Sequence, residues 1–283
     1  MPCGLVGRSG SGSREEQVKP LRMSVALAVL LTAALPGQDL PPWVLLLARV
    51  KQHGRASFEH IPDYACLETV SRFRQSRYAR SFTPIDTLQL EVALVGGKEL
   101  FARKGATHFQ GDDPAAFIVE GLIGSGDFAA TPRNLFVHDV ARFTVSSQAG
   151  LSGGTALPFD FVVSAMTGAY FLKFGGLRTV VGAQGTFWVD SQSLDLLRIE
   201  QHDVDLPADA DVSEIVTTTT FGRVRIGSSE PLLPLSSELI VADPFGGQQR
   251  NLIEFSGCRE YRSDSVIHFE DDVPDPPPAG KKK

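Results

Sequence analysis

Apolar and polar residues alternate in short runs along most of the chain, and the period of that alternation sets the expected fold. From Thr179 to Phe269 the runs 185–190, 194–200, 221–226 and 251–255 are punctuated by Gly, Pro and Asp, with no helical period between them. Runs of about 4–8 residues are strands rather than helices. Such a train predicts one large curved antiparallel sheet. Upstream, 64–74 alternates with Leu67, Thr69 and Phe73 on one face and Glu68, Arg72 and Arg74 on the other. Leu88, Leu90, Val92 and Leu94 alternate up to Gly96-Gly97, and 98–102 follows. The glycine pair supplies the positive φ angles of a tight hairpin. Runs at 141–145, 158–163 and 169–174 add strands, and the last one is 265–269.

Two segments depart from the alternation. After Pro41-Pro42, the apolar residues Trp43, Val44, Leu46, Leu47 and Val50 followed by Lys51 and His53 fit an amphipathic helix with proline in its first turn, and Gly54 marks its end or a weak point. Between Pro114 and Asn134, residues Ala115, Phe117, Ile118, Leu122 and Ile123 fit one or two helical turns interrupted by glycines. This stretch is expected to be a short helix and loop crossing one end or one face of the sheet. The fold class is therefore α+β.

The first residues bear on location. Lys19 and Arg22 precede an apolar run from Val25 to Leu35 that Pro36-Gly37-Gln38 ends, the layout of a secretory signal peptide. A membrane span needs about 20 apolar residues, roughly twice this run. Cleavage is expected near Gly37, with Ala34 as the alternative. Three segments follow: leader and signal peptide at 1–37, one folded domain at 38–270, and a Pro- and Lys-rich tail at 271–283 whose composition does not pack. The mature product is expected to be periplasmic or secreted.

Charge narrows the partners. Loss of the leader removes four basic and two acidic side chains from a chain of net charge −6, making it more acidic. Nucleic acid is an unsuitable partner for such a surface, since phosphate contacts need clustered Lys and Arg. Membrane contact is expected to be only transient. Of the three cysteines, Cys3 lies in the leader, leaving Cys66 and Cys258. In an oxidising compartment they are expected to form one disulfide. Cys66 shares the strand parity of Glu68 and Arg72, which puts the bridge on the more solvated face or at an edge.

Candidate chemistry is sparse. Gly150-Leu-Ser152-Gly-Gly154 matches the letters of a nucleophile elbow, but the elbow needs a strand turning into a helix and here a strand follows. Six histidines are dispersed without metal spacing, and Asp112-Asp113 and Asp271-Asp272 lack the oxygen spacing of a calcium loop. No metal or cofactor is implied. The aromatics Phe159, Phe161, Tyr170, Phe171, Phe174, Phe187 and Trp188 concentrate in the middle of the chain. They fit either ordinary core packing or the lining of an apolar cavity under the sheet. Val224 and Ile226 point to the same interior, opposite Arg223 and Arg225.

Several phrases resemble the outer-membrane lipoprotein carrier and sorting (LolA/LolB-like) superfamily. The hairpin Gly185-Thr-Phe-Trp-Val-Asp-Ser-Gln-Ser-Leu-Asp-Leu-Leu-Arg-Ile-Glu200 and the close Arg250-Asn-Leu-Ile-Glu-Phe-Ser-Gly-Cys-Arg-Glu-Tyr261 carry it, with support from 64–73 and 97–101. The resemblance implies an incomplete β-barrel whose concave side is plugged by helices around an apolar cavity. It makes an exported, non-enzymatic holder of a lipid or other apolar ligand the first functional expectation, with Phe159, Phe161, Tyr170, Phe187, Trp188, Val224 and Ile226 as cavity candidates. A cell-envelope interaction module with a packed interior is the alternative, and a serine hydrolase acting through Ser152 a remote one. The paired cysteines, the Gly-rich central insertion and the tail depart from the carriers.

Overall fold

The computed structural model describes residues 40–146, 155–174 and 177–261. The expected signal peptide, Ser152, the expected strand at 265–269 and residues 271–283 lie outside the described residues.

Helix α1 (Pro42–Glu59) opens the described chain, and its buried residues Val50, Gly54 and Phe58 recur every four positions to form one apolar stripe. Gly54 does not end the helix as its composition suggested. The helix runs on to Glu59, and Gly54 sits where a Cβ would come within 2.6 Å of the Phe136 ring. Packing, not backbone freedom, explains the glycine.

Strands β1 (Tyr64–Gln75), β2 (Thr83–Val95) and β3 (Lys98–Arg103) follow. A single 3-10 turn, Pro114–Phe117, and helix α2 (Ala130–Phe136) bracket the loop 118–129, and β4 (Ala141–Val145), β5 (Ala156–Val163) and β6 (Tyr170–Phe174) come next. The chain closes with β7 (Leu177–Asp190), β8 (Leu196–Val204), β9 (Glu214–Arg223), β10 (Leu232–Ala242) and β11 (Gln248–Glu260). All belong to one 11-stranded sheet in the order β3-β2-β1-β11-β10-β9-β8-β7-β5-β4, with β6 paired to β7 off this path. Every pairing is antiparallel, and the two ends of the order, β3 and β4, do not meet. The architecture is an open half-barrel of α+β class.

Two strand limits differ from the sequence pattern. Leu194, the expected start of a strand, is in a turn at φ 63° because the Asp190 carboxylate accepts hydrogen bonds from the Gln192 and Ser193 N–H groups, delaying β8 to Leu196. β9 occupies Glu214–Arg223, earlier than the expected 221–226, and Val224 and Ile226 fall in the bend that leads to β10. The run of threonines at 217–220, β-branched and neither clearly apolar nor charged, hid the strand from a hydrophobic pattern.

The inner face is traced by the pairs Phe187↔Ile199, Ile199↔Thr219, Thr219↔Ser237, Ser237↔Ile253 and Ile253↔Val70, one continuous row from β7 to β1. At the β5/β7 end this face meets both helices. Val50, Phe58, Leu135 and Phe136 join Phe159, Phe161 and Phe187 in a single cluster. The second row, Gln201, Thr217, Leu239, Asn251, Arg72 and Asp86, is mostly polar.

That polar row corrects the expectation for β1. Cys66, Glu68, Val70 and Arg72 are on the inner face and almost fully buried, whereas Leu67, Thr69 and Phe73 are only half-buried on the other side. Charge had marked this face as solvated. It is covered instead by the 118–129 loop, whose Glu120 carbonyl accepts from Arg72. The Cys66–Cys258 disulfide is formed, and it lies against the second apolar cluster with Tyr64, Leu90 and Leu233 rather than on a solvated face.

Candidate ligand cavity

The 118–129 loop crosses the inner face as a strap, and side chains of four strands tie it down. Arg72 on β1 donates to the Glu120 carbonyl at 2.7 Å while pairing bidentately with Asp86 at 2.7 and 2.6 Å. Gln249 on β11 accepts from the Leu122 N–H at 2.9 Å, and Asn251 donates to the Leu122 carbonyl at 3.0 Å. Ser237 on β10 donates to Asp127 at 2.8 Å, and the Tyr64 hydroxyl to the Phe128 carbonyl at 3.1 Å. Glu99 on β3 accepts from the N–H groups of Gly126, Ala129 and Ala130 at 2.8, 2.8 and 3.0 Å. A loop so held has its buried backbone groups satisfied by side chains where no strand could reach.

Between the strap, β6 and the inner face of β8–β10 lies a cavity of about 680 Å³. That volume falls in the range of small-molecule sites, roughly 300–1,000 Å³. Its apolar walls include Leu122, Ile123, Leu172, Ile215, Leu239 and Val241. Its polar side carries the carboxyls of Glu99, Asp127 and Asp203 and the amide of Gln201, with Lys98 and Lys173 also on the lining. A more open groove of about 700 Å³ lies on the other side of Gly121 and Leu122, which line both.

Burial shapes the acids. It pushes Asp127 up to about 6, partly offset by the Ser237 hydroxyl. It raises Asp203, whose carboxylate is helped by the Gln201 amide. It raises Glu99 against the pull of three N–H donors. Just beyond, burial and the charges of Asp127 and Glu99 push Glu68 up to about 8. Glu68 Oε2, Gln201 Oε1 and the Tyr170 hydroxyl are buried without a hydrogen-bond partner.

The structure distributes the sequence candidates over three places. Tyr170 lines the cavity and also packs on the aromatic cluster. Phe159, Phe161 and Phe187 are fully inside that cluster, with Phe159 and Phe187 stacked at 5.4 Å. Trp188 has the opposite strand parity to Phe187 and lies beside the Arg198 guanidinium at 5.1 Å. Ile226 and Val224 belong to the second cluster, with the disulfide. The acids and Gln201 carried no signal: Glu99, Asp127 and the Gln201/Asp203 pair are far apart in sequence, and only the sheet register and the strap gather them.

No family model matches the chain, and no curated protein matches it in sequence. Among solved structures it is similar to a LolA superfamily protein from Nitrosomonas europaea, at 8% identity and a TM-score of 0.36, covering 76% of this chain and 93% of that one. It is similar as well to a DUF1329 family protein from Desulfovibrio piger, at 14% identity and a TM-score of 0.36, covering 79% and 97%.

Proposed function

We propose that this is an exported, non-enzymatic binding protein that holds a lipid or other apolar ligand under its strap. The observation that carries the reading is the 680 Å³ cavity with aliphatic walls, covered on one side by a loop whose backbone is tied to the sheet. A pre-formed apolar concavity with few polar groups is the usual form of a ligand site. Tyr170 would supply its aromatic contact, and the Phe159, Phe161 and Phe187 cluster would serve as the rigid end against which the site is built. An extracytoplasmic location is supported by the Cys66–Cys258 bridge, since such bonds persist where thiols are oxidised.

Native mass spectrometry of the protein purified from its own cell envelope tests the reading. A co-purifying apolar ligand is expected, and Leu239→Trp, which fills the wall, should lower its occupancy. Repeated absence of any bound molecule, or full occupancy in Leu239→Trp, overturns it.

A further inference from the structure

The polar side of the cavity is dominated by acceptors: three carboxyls and the open amide oxygen of Gln201 stand beside one open hydroxyl, that of Tyr170. Glu99, Asp127 and Asp203 line it from β3, the strap and β8. Their partners are backbone N–H groups, the Ser237 hydroxyl and the Gln201 amide, and no Lys, Arg or His stands within ion-pairing distance of them among the described residues. Gln201, 7% exposed, gives its amide nitrogen to Asp203 at 2.8 Å. A carboxylate only accepts, so the nitrogen must face it, which leaves the carbonyl oxygen on the cavity wall without a donor. Two lysines line the same cavity. Lys173 is engaged at its rim with Asp113 at 2.9 Å, and Lys98 is exposed.

A buried acceptor left open, next to carboxylates that lack counter-charges, costs stability unless something fills it. Resting on the binding reading above, we infer that the polar side of the cavity receives a protonated amine. The ligand is then an amphipath with an apolar tail among Leu122, Ile215, Leu239 and Val241 and an ammonium head toward Asp127, Gln201 and Asp203. An ammonium offers three donors and one positive charge, matching an open carbonyl and carboxylates that otherwise repel one another.

The groups facing the head are Glu99, Asp127 and Asp203, with Glu68 behind them, Tyr170 beside them, and Lys98, Lys173, Asp112 and Asp113 at the rim. Burial raises all three inner carboxyls, Asp127 to about 6. The ammonium draws the ionised form, so binding releases protons and weakens as pH falls.

The test uses the purified protein and three probes of one tail length, decylamine, decanol and decanoate, by calorimetric titration. Decylamine is expected to bind about tenfold or more tightly than either of the others, the scale of a charge-assisted hydrogen bond. Between about pH 8 and pH 5 its affinity should fall about tenfold while that of decanol stays level. In Asp127→Asn/Asp203→Asn, whose amides keep the acceptors for Ser237 and Gln201, the preference for the amine should vanish and decanol binding persist. Equal binding of the three probes, or an amine affinity indifferent to pH, overturns the ammonium head while leaving the cavity in place. Failure of all three to bind overturns the cavity reading with it. Should the double variant fail to fold, the pH series on the unaltered protein decides.

Discussion

The inner face of this half-barrel has two ends built on different principles. At the β5/β7 end, Phe58, Phe136, Phe143, Phe159 and Phe187 pack ring against ring with centroids 5.3 to 6.0 Å apart, and both helices press onto them. At the β1/β10/β11 end the sheet presents Arg72, Glu68, Asn251, Thr219 and Ser237, all buried, to a strap held by hydrogen bonds. Aromatic packing is tolerant of detail and repays burial at roughly 25 cal/mol per Å². Buried polar networks stabilise only when every member is satisfied. One end therefore secures the fold, and the other keeps open space and open acceptors at the expense of stability.

The disulfide should have the largest effect, because it fastens the weaker end. It joins β1 to β11 across 192 residues, and the chain-entropy estimate for so long a loop is about 4–5 kcal/mol. Cys66→Ala/Cys258→Ala should lower the unfolding free energy from urea titration by that order, and both thiols of the unreduced native-sequence protein should resist labelling. An unchanged free energy would mean that the polar end is held by the strap alone. Phe187→Ala comes next, with a loss of about 3–5 kcal/mol for a buried aromatic. Because this end is solidly packed, the same change should leave decanol binding in the cavity within a factor of about two. A large loss of binding would join the two ends into one unit.

The pH dependence separates them further. Glu68 titrates at about 8 in the fold against an ordinary 4.5, and Asp127 at about 6 against 3.8. Their folded values are raised, so the stability they contribute is present below the ordinary values and is lost as pH rises through 6 and then 8. Unliganded protein should be less stable at pH 8 than at pH 5 by a few kcal/mol, about 1.4 per pH unit of unmatched protonation at most. Glu68→Gln should flatten that slope. A slope unchanged in Glu68→Gln would place the titration elsewhere.

How legible these two ends were in the sequence follows from the same contrast. Period-2 alternation gave β1, β2, β3, β7, β8 and β11, because half-buried strands write their burial into their composition, but it missed β10 and misplaced β9. It misassigned the inner face of β1, where Glu68 and Arg72 are buried and Leu67 and Phe73 half-exposed. The alternation reports apolarity, and the covering strap replaces apolarity with hydrogen bonds. Phe159, Phe161 and Phe187 were legible as interior, and Gln201, Asp203, Asp127 and Glu99 were not. Their meeting depends on the register Gln201↔Thr217 and on where a glycine-interrupted loop comes down.

The smallest expected effect bears on whether the strap opens independently of the aromatic end. Asn251 is 2% exposed and spends its amide on the Leu122 carbonyl, while Gln249 holds the Leu122 N–H. Asn251→Ala removes one side-chain hydrogen bond, worth about 1 kcal/mol, and leaves that carbonyl without its donor at a similar cost. The β10–β11 and β1–β11 ladders do not use the Asn251 side chain, so global unfolding should shift by about 1–2 kcal/mol at most. The informative quantity is local. Amide exchange at Leu122, Gly126 and Ala129 should accelerate by about tenfold, the equivalent of 1.4 kcal/mol, while amides of β7 and β8 around Phe187 and Ile199 keep their protection. Equal acceleration everywhere would mean that strap and aromatic cluster open together. Selective acceleration makes the strap the door, with Leu122 as the residue that moves first.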